Sequence, residues 1–389
     1  MNITPAEAQA KKENAQNTFL RQPHKWVPCS PKIGVAIIAY GGKNYFDVQD
    51  DFELLTNVVD NVLEKIPVDI ICGNSISINP DREKIMDGHV QTTLHSDGIT
   101  LEHRQVMHMT GDDYPALIAD PDGFVENVLL PRKLPFIFEE GLEKAAKRFE
   151  ALLMSSYNQK FHAPAKLLPY VMEKYAPLNM GGGAGRCSTP GDVIMDAYRG
   201  FKGTMTDLRR HYSEMKELAD VIWEKNMVDH MTGYTYKDFH YPSYMTHIPC
   251  FLNPKQYDDL CFKYFKQQIE NMYAGGGKLY MLSEGNWKNV IHFMNDLPQD
   301  SVIFNCEDDD ICEAYDTIGA KQIIMGGCKI VTTRLDTAEA CKDMTKRAID
   351  HCAPGNAFIY ATDKAWCCKG DCNDNLIEAF AFAGEYGKY

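Results

Sequence analysis

Apolar residues recur along this chain with two different periods. In the first third, residues 52–66 and 136–154 carry them at helical spacing, and shorter apolar runs such as residues 33–40 lie elsewhere in it. From residue 192 onward the pattern becomes regular. Residues 204–225 place Leu208, Met215, Leu218, Ile222 and Trp223 on or near one helical face, and Asn253 and Pro254 open a second helix that runs to residue 272 before Gly275–Gly277 stop it. Four short apolar segments follow, at residues 279–283, 302–306, 322–325 and 357–362, with the length and composition of buried strands. Helical segments separate them, the clearest at residues 337–352, where Asp336 and Glu339 can form a capping box. Alternating strands and helices predict an α/β fold with a parallel sheet, either closed as a barrel or open and doubly wound.

The glycine run from Met180 to Arg186 changes little. It resembles a dinucleotide fingerprint superficially, but the sequence shows no buried strand before it and no acidic residue on a second strand after it, so a mobile loop is expected. Charge excludes more. A formal net charge of −14, with no Lys/Arg run, argues against nucleic acid and anionic membrane as partners. The polar N-terminus lacks the apolar centre of a secretion signal and no apolar run is long enough to span a bilayer, so a cytoplasmic protein is expected. There the thirteen cysteines read as thiols, in the core or on a metal, rather than as a disulfide framework.

Eight of the thirteen fall in the last quarter of the chain, where the strand ends also lie. Functional groups of parallel α/β folds collect at the C-terminal strand ends. Those ends here carry Glu284, Cys306 with Glu307, Cys328, and Asp363 followed by Cys367 and Cys368. Thiolates and carboxylates drawn from several strands suit zinc at an open catalytic site. Cys261, Cys341 and Cys352 lie on helices and are expected to be core residues.

The segment Gly191–Gly200 continued to Asp207, the helix after Asn253, Ser283–Asn286, Met325–Gly327, residues 336–352, Phe358–Ala361 and Asp374–Leu376 together resemble the uroporphyrinogen-decarboxylase superfamily. The resemblance implies a (β/α)8 TIM barrel, with residues 1–175 an elaborated N-terminal extension packed on it and residues 176–389 the main part of a single barrel domain. The arginine-rich N-terminal motif of the decarboxylases is missing, and Glu284-Gly285-Asn286 stands where the methyl-coenzyme branch has a His-x-Cys pair. The chain is most similar to the demethylases of the veratrol and vanillate type, whose zinc motif D-x27-C-x39-C is matched by Asp300, Cys328 and Cys368. The resemblance thus implies Zn2+, an aryl methyl ether as substrate, and a corrinoid (cobalamin) carried by a partner protein as methyl acceptor. Asp300 precedes its strand, at the end of a barrel away from chemistry, so Glu284, Cys328 and Cys368 are the expected zinc ligands, with Asp300 the motif-based rival. The aromatic stretch at residues 229–249 is the expected substrate wall. It offers Tyr234, Tyr236, Phe239, Tyr244 and His247 for binding a ring, while Tyr241 and His240, with the strand-end carboxylate Glu307, are candidate catalytic groups. Phenolate is a poor leaving group, its conjugate acid having a pKa of about 10, so the leaving oxygen needs zinc or a proton donor.

Overall fold

The computed structural model describes residues 3–72, 76, 78–104 and 107–389. Six parallel strands form one sheet in the order β1 (Cys29–Ser30), β8 (Phe358–Thr362), β7 (Ile323–Cys328), β6 (Val302–Cys306), β5 (Leu279–Ser283) and β4 (Ser243–Thr246). A second parallel pair joins β2 (Ile70–Ile71) to β3 (Leu178–Asn179). Main-chain hydrogen bonds tie this pair to both edges of the large sheet: Asp69 N–H donates to Cys29 O (2.9 Å) and Tyr241 N–H to Met180 O (2.9 Å). Two of these eight parallel strands therefore come from the first 175 residues, ahead of where the sequence pattern becomes regular.

The four strands expected late in the chain are all present. Their alternation sorts side chains into two layers, because successive residues of a strand point to opposite faces. Ile70, Leu178, Met180, Tyr280, Ile303, Ile323, Met325, Ile359 and Ala361 meet in one cluster on one face of the strands. Their neighbours, among them Phe304, Ile324, Phe358 and Tyr360, pack outward against the helices. Helix α1 (Pro5–Phe19) starts at a capping box in which Thr4 and Glu7 exchange hydrogen bonds, and its last turn sends Ala15 and Phe19 into the inner cluster. Arg21, just beyond, reaches Asp300 ahead of β6, so α1 covers the N-terminal ends of the strands.

Local chemistry corrects several expected boundaries. The expected helix at 136–154 is two, Pro135–Glu139 and α2 (Leu142–Asn158), separated by Gly141 with φ +85°. That at 204–225 breaks at His211 into Gly200–Arg210 and Tyr212–Glu224. The run at 33–40 forms a short helix, Ala36–Tyr40. The glycine run does follow a strand, β3, and Gly183 is required there because a Cβ would lie 2.4 Å from the Tyr241 carbonyl carbon. Among the described residues no helix is long and apolar enough to cross a membrane.

Candidate functional site

Lys32, His247, Glu284, Asn305, Glu307 and Asp363 share the C-terminal ends of β1, β4, β5, β6 and β8. Strand alternation turns them toward the enclosed side. His247 is the most constrained. Its main-chain N–H and that of Ile248 donate to Oδ1 of the buried Asp192 (2.7 and 3.1 Å). Oδ2 of Asp192 accepts from Thr189 (2.9 Å), Thr246 (3.1 Å) and Tyr244 hydroxyls. The imidazole is held between two carboxylates: Nδ1 lies 2.8 Å from Asp196 Oδ2 and Nε2 lies 3.5 Å from Glu284 Oε1. Burial lowers the imidazole pKa, but the bonds to Asp196 and Glu284 outweigh it and raise the pKa to about 11. Cys250 sits in the same turn, its Sγ donating to His247 O (3.4 Å) and packing where a Cβ on Gly285 would be 2.7 Å away. Burial pushes its thiol up to about 12.

Beside this group lies Lys32, 8% exposed, with Nζ 3.1 Å from Asp363 O. Burial lowers its pKa to about 8, against the pull of Cys72, Asp363, Glu307 and Cys306. Asn305 Nδ2 donates to the same carbonyl (3.0 Å), while the buried Asn305 Oδ1 and Ser30 Oγ have no hydrogen-bond partner. A polar ligand or a water at the strand ends would satisfy Asn305 Oδ1. Glu307 is braced by Gly285 N–H (2.7 Å) and Lys364 Nζ (3.1 Å).

The expected zinc set is not gathered. Among the described residues, one trio of His, Cys, Asp and Glu brings its ligand atoms within 4.8 Å of one another: Asp192, Asp196 and His247. Asp192 in that trio already accepts five hydrogen bonds on two oxygens, which saturates its lone pairs. Cys328, at an outward position of β7, belongs to the layer packed against the helices. It neighbours Tyr360, whose hydroxyl bonds Thr345 of α3 (Ala338–Cys352), and burial raises the Cys328 thiol pKa well above the usual range. Cys368 lies in the turn after β8, where its main-chain N–H donates to Asp371 (2.7 Å). Asp300 pairs with Arg21 at the opposite end of the strands.

The aromatic wall is also displaced. Residues 229–242 connect a helix to β4, so they lie at the N-terminal ends of the strands. Phe239 and Tyr241 pack on Phe19 of α1, with ring centroids 5.8 and 6.0 Å apart. Tyr236 and Tyr234 lie against Gly275–Gly277 ahead of β5, and His240 Nδ1 is 3.1 Å from Gly181 O. Tyr244 faces outward and is tied to Asp192. Of the eight residues expected to bind substrate or act in catalysis, His247 and Glu307 stand with Glu284. Lys32, Asn305, Asp192, Asp196 and Cys250 were missed. The signal for two of them was present, since Asp192 and Asp196 are spaced i, i+4 on one helix.

No family model matches the sequence, and no curated protein matches it. The fold, however, is similar to that of a solved structure described as a methyltransferase from Methanosarcina mazei, with TM-score 0.57 and 12% sequence identity over 97% of this chain and 98% of the other. The likeness spans nearly the whole of both chains, and what the two share is the architecture that brings His247 and Glu284 to one end of a parallel α/β sheet.

Proposed function

We propose that the chain is a methyltransferase on a closed (β/α)8 barrel. The hydrogen bonds that link the β2–β3 pair to β1 and to the start of β4 support closure, and so does the single inner cluster drawn from strands around the ring. The observation that carries the functional proposal is the Asp196–His247–Glu284 relay at the strand ends, in a fold similar to a methyltransferase along its whole length. A carboxylate on one imidazole nitrogen orients the other toward a metal in many metal sites. His247 Nε2 and the Glu284 carboxylate would hold the ion. An imidazole and a carboxylate at the strand ends suit Zn2+, and neither depends on the Cys328 and Cys368 pair expected from spacing. Bound there, zinc supplies Lewis acidity to the heteroatom that loses the methyl group.

The protein's own groups do the remaining work. Lys32 and Asn305 hold the polar part of the donor against Asp363. Glu307, fixed by Gly285 and Lys364, keeps the β5 and β6 ends in register. With no cobalt-binding D-x-H-x-x-G signature in the chain, the acceptor is a corrinoid on a partner protein. The aromatic residues that favoured an aryl methyl ether lie at the other end of the strands, so the donor is assigned only as a methyl group on oxygen, nitrogen or sulfur. Metal analysis of wild type, His247→Ala and Glu284→Gln tests the centre, and methylation of free cob(I)alamin from vanillate, methanol, methylamines and methyl thioethers tests the reaction. Zinc retained in both variants would sink the metal assignment, and no methyl-cobalt spectrum with any donor would sink the activity.

A further inference from the structure

Helix α2 has two working faces. On one, Ala145 and Leu152 pack with Met86, Val90 and Phe136 in a small satellite core. On the same side Arg148 bonds Glu140 and Ile85 O, and Ser155 bonds Asn79. At 100° per residue, a second line runs about 120° away from that face: Leu142, Ala146, Phe149, Leu153 and Tyr157. From Leu142 to Leu153 its spacing of four, three and four residues is that of a coiled-coil seam, and Tyr157 follows one turn further on. The seam faces solvent, Leu142 being 80% exposed, Leu153 71% and Tyr157 52%. Phe138 before the helix and Phe161 after it are both exposed, and at the far end Lys160 Nζ lies over the Tyr157 ring, 5.5 Å from its centroid.

We propose that this seam is the dimer interface of the protein, pairing antiparallel with α2 of a second copy. At roughly 200 Å² for a fully exposed large side chain, the fractional exposures of the seam and its two flanking phenylalanines leave on the order of 700 Å² bare, close to one side of a standard protein interface and above the largest apolar patch usual on a monomer. Antiparallel pairing sets Leu142 of one copy beside Tyr157 of the other, and Ala146 beside Leu153. The contact is then self-complementary, as a two-fold interface must be. Permanence points the same way. A partner that docks and leaves at each turnover would repeatedly expose a mainly apolar strip, whereas obligate homodimers cover such surface permanently.

Sedimentation equilibrium of the purified full chain at micromolar concentrations should give twice the 44.0 kDa chain mass. Leu153→Glu and Phe149→Glu should each weaken association by on the order of 100-fold or more, because a symmetric dimer carries the substitution twice. Far-UV circular dichroism should stay that of wild type for Leu153→Glu, which lies outside the satellite core, whereas the Phe149 ring packs on Phe136 of that core, centroids 6.1 Å apart. Ala151→Glu, exposed and on the opposite side of the helix from the seam, should remain dimeric. A monomeric wild type would overturn the proposal, as would a dimer that survives both seam variants. A monomer that binds a corrinoid protein through the same residues would assign the seam to that partner and overturn it too.

Discussion

Asp300→Asn separates the spacing motif from the three-dimensional arrangement. Asp300 Oδ1 accepts from Arg21 Nη2 (2.6 Å) and Nε (3.0 Å), and Arg21 also donates to Gly319 O (2.8 Å) and Gln322 O (3.0 Å). The two side chains are 13% and 22% exposed, so the pair is neither a surface bridge nor fully desolvated. Breaking a buried pair costs about 3–5 kcal/mol and an exposed one under about 1. Asparagine keeps one oxygen for Arg21, and Arg21 keeps its two carbonyls, which places the substitution at about 2 kcal/mol. Asparagine also tolerates the left-handed backbone of position 300, φ +53°, so no strain is added. With an unfolding entropy near 2.1 cal/mol/K per residue, about 2 kcal/mol lowers the melting temperature of a chain this long by roughly 2–3 °C. Differential scanning calorimetry measures that shift, and metal analysis of the same sample should show zinc unchanged. Loss of zinc with an unchanged melting temperature would refute the placement of Asp300 as a brace between α1 and the N-terminal ends of the strands.

Three further outcomes are expected. Asp196→Asn should reduce zinc affinity about 10- to 100-fold without removing a direct ligand, the usual effect of losing the group that orients a metal-bound imidazole, read by competition with a chelator. Lys32→Met bears on pH: the folded-state pKa of about 8 is below the ordinary 10.5, so the unfolded chain binds more protons between those values and wild-type stability gains on the order of 3 kcal/mol from this group as pH rises through that window. The variant should lack that rise in urea melts from pH 7 to 10, while an identical slope would mean Lys32 is not held as described. Cys328→Ala should cost about 1 kcal/mol through lost packing against Tyr360 and leave zinc bound, so a zinc-free variant would restore the spacing motif.

Much of the fold was legible because it depends on local pattern. The apolar runs at β5 to β8, the helix after Asn253 and the one ending at Cys352 are short-range consequences of strand and helix periodicity. Strands β1, β2 and β3 were not legible, since two-residue segments such as Ile70–Ile71 carry no period and are strands only because neighbouring backbone satisfies them. Residue type alone marked Glu284 and Glu307 at the strand ends. Which cysteines face the mouth was a matter of parity: Ile323 and Met325 point inward, so Cys328 points out toward α3, a consequence the alternation already contained. Chain direction decided the aromatic stretch in the same way. A segment leading from a helix into β4 lies at the N-terminal ends of the strands, which separates Tyr241 from His247 although only five residues divide them. The sequence by itself determined the strands β5 to β8, the helices between them and the kinds of side chain at their ends. Only the tertiary structure decided which of those meet, because Asp196, His247 and Glu284 come together through the register of parallel strands and the docking of one helix, contacts that no short stretch of the chain encodes.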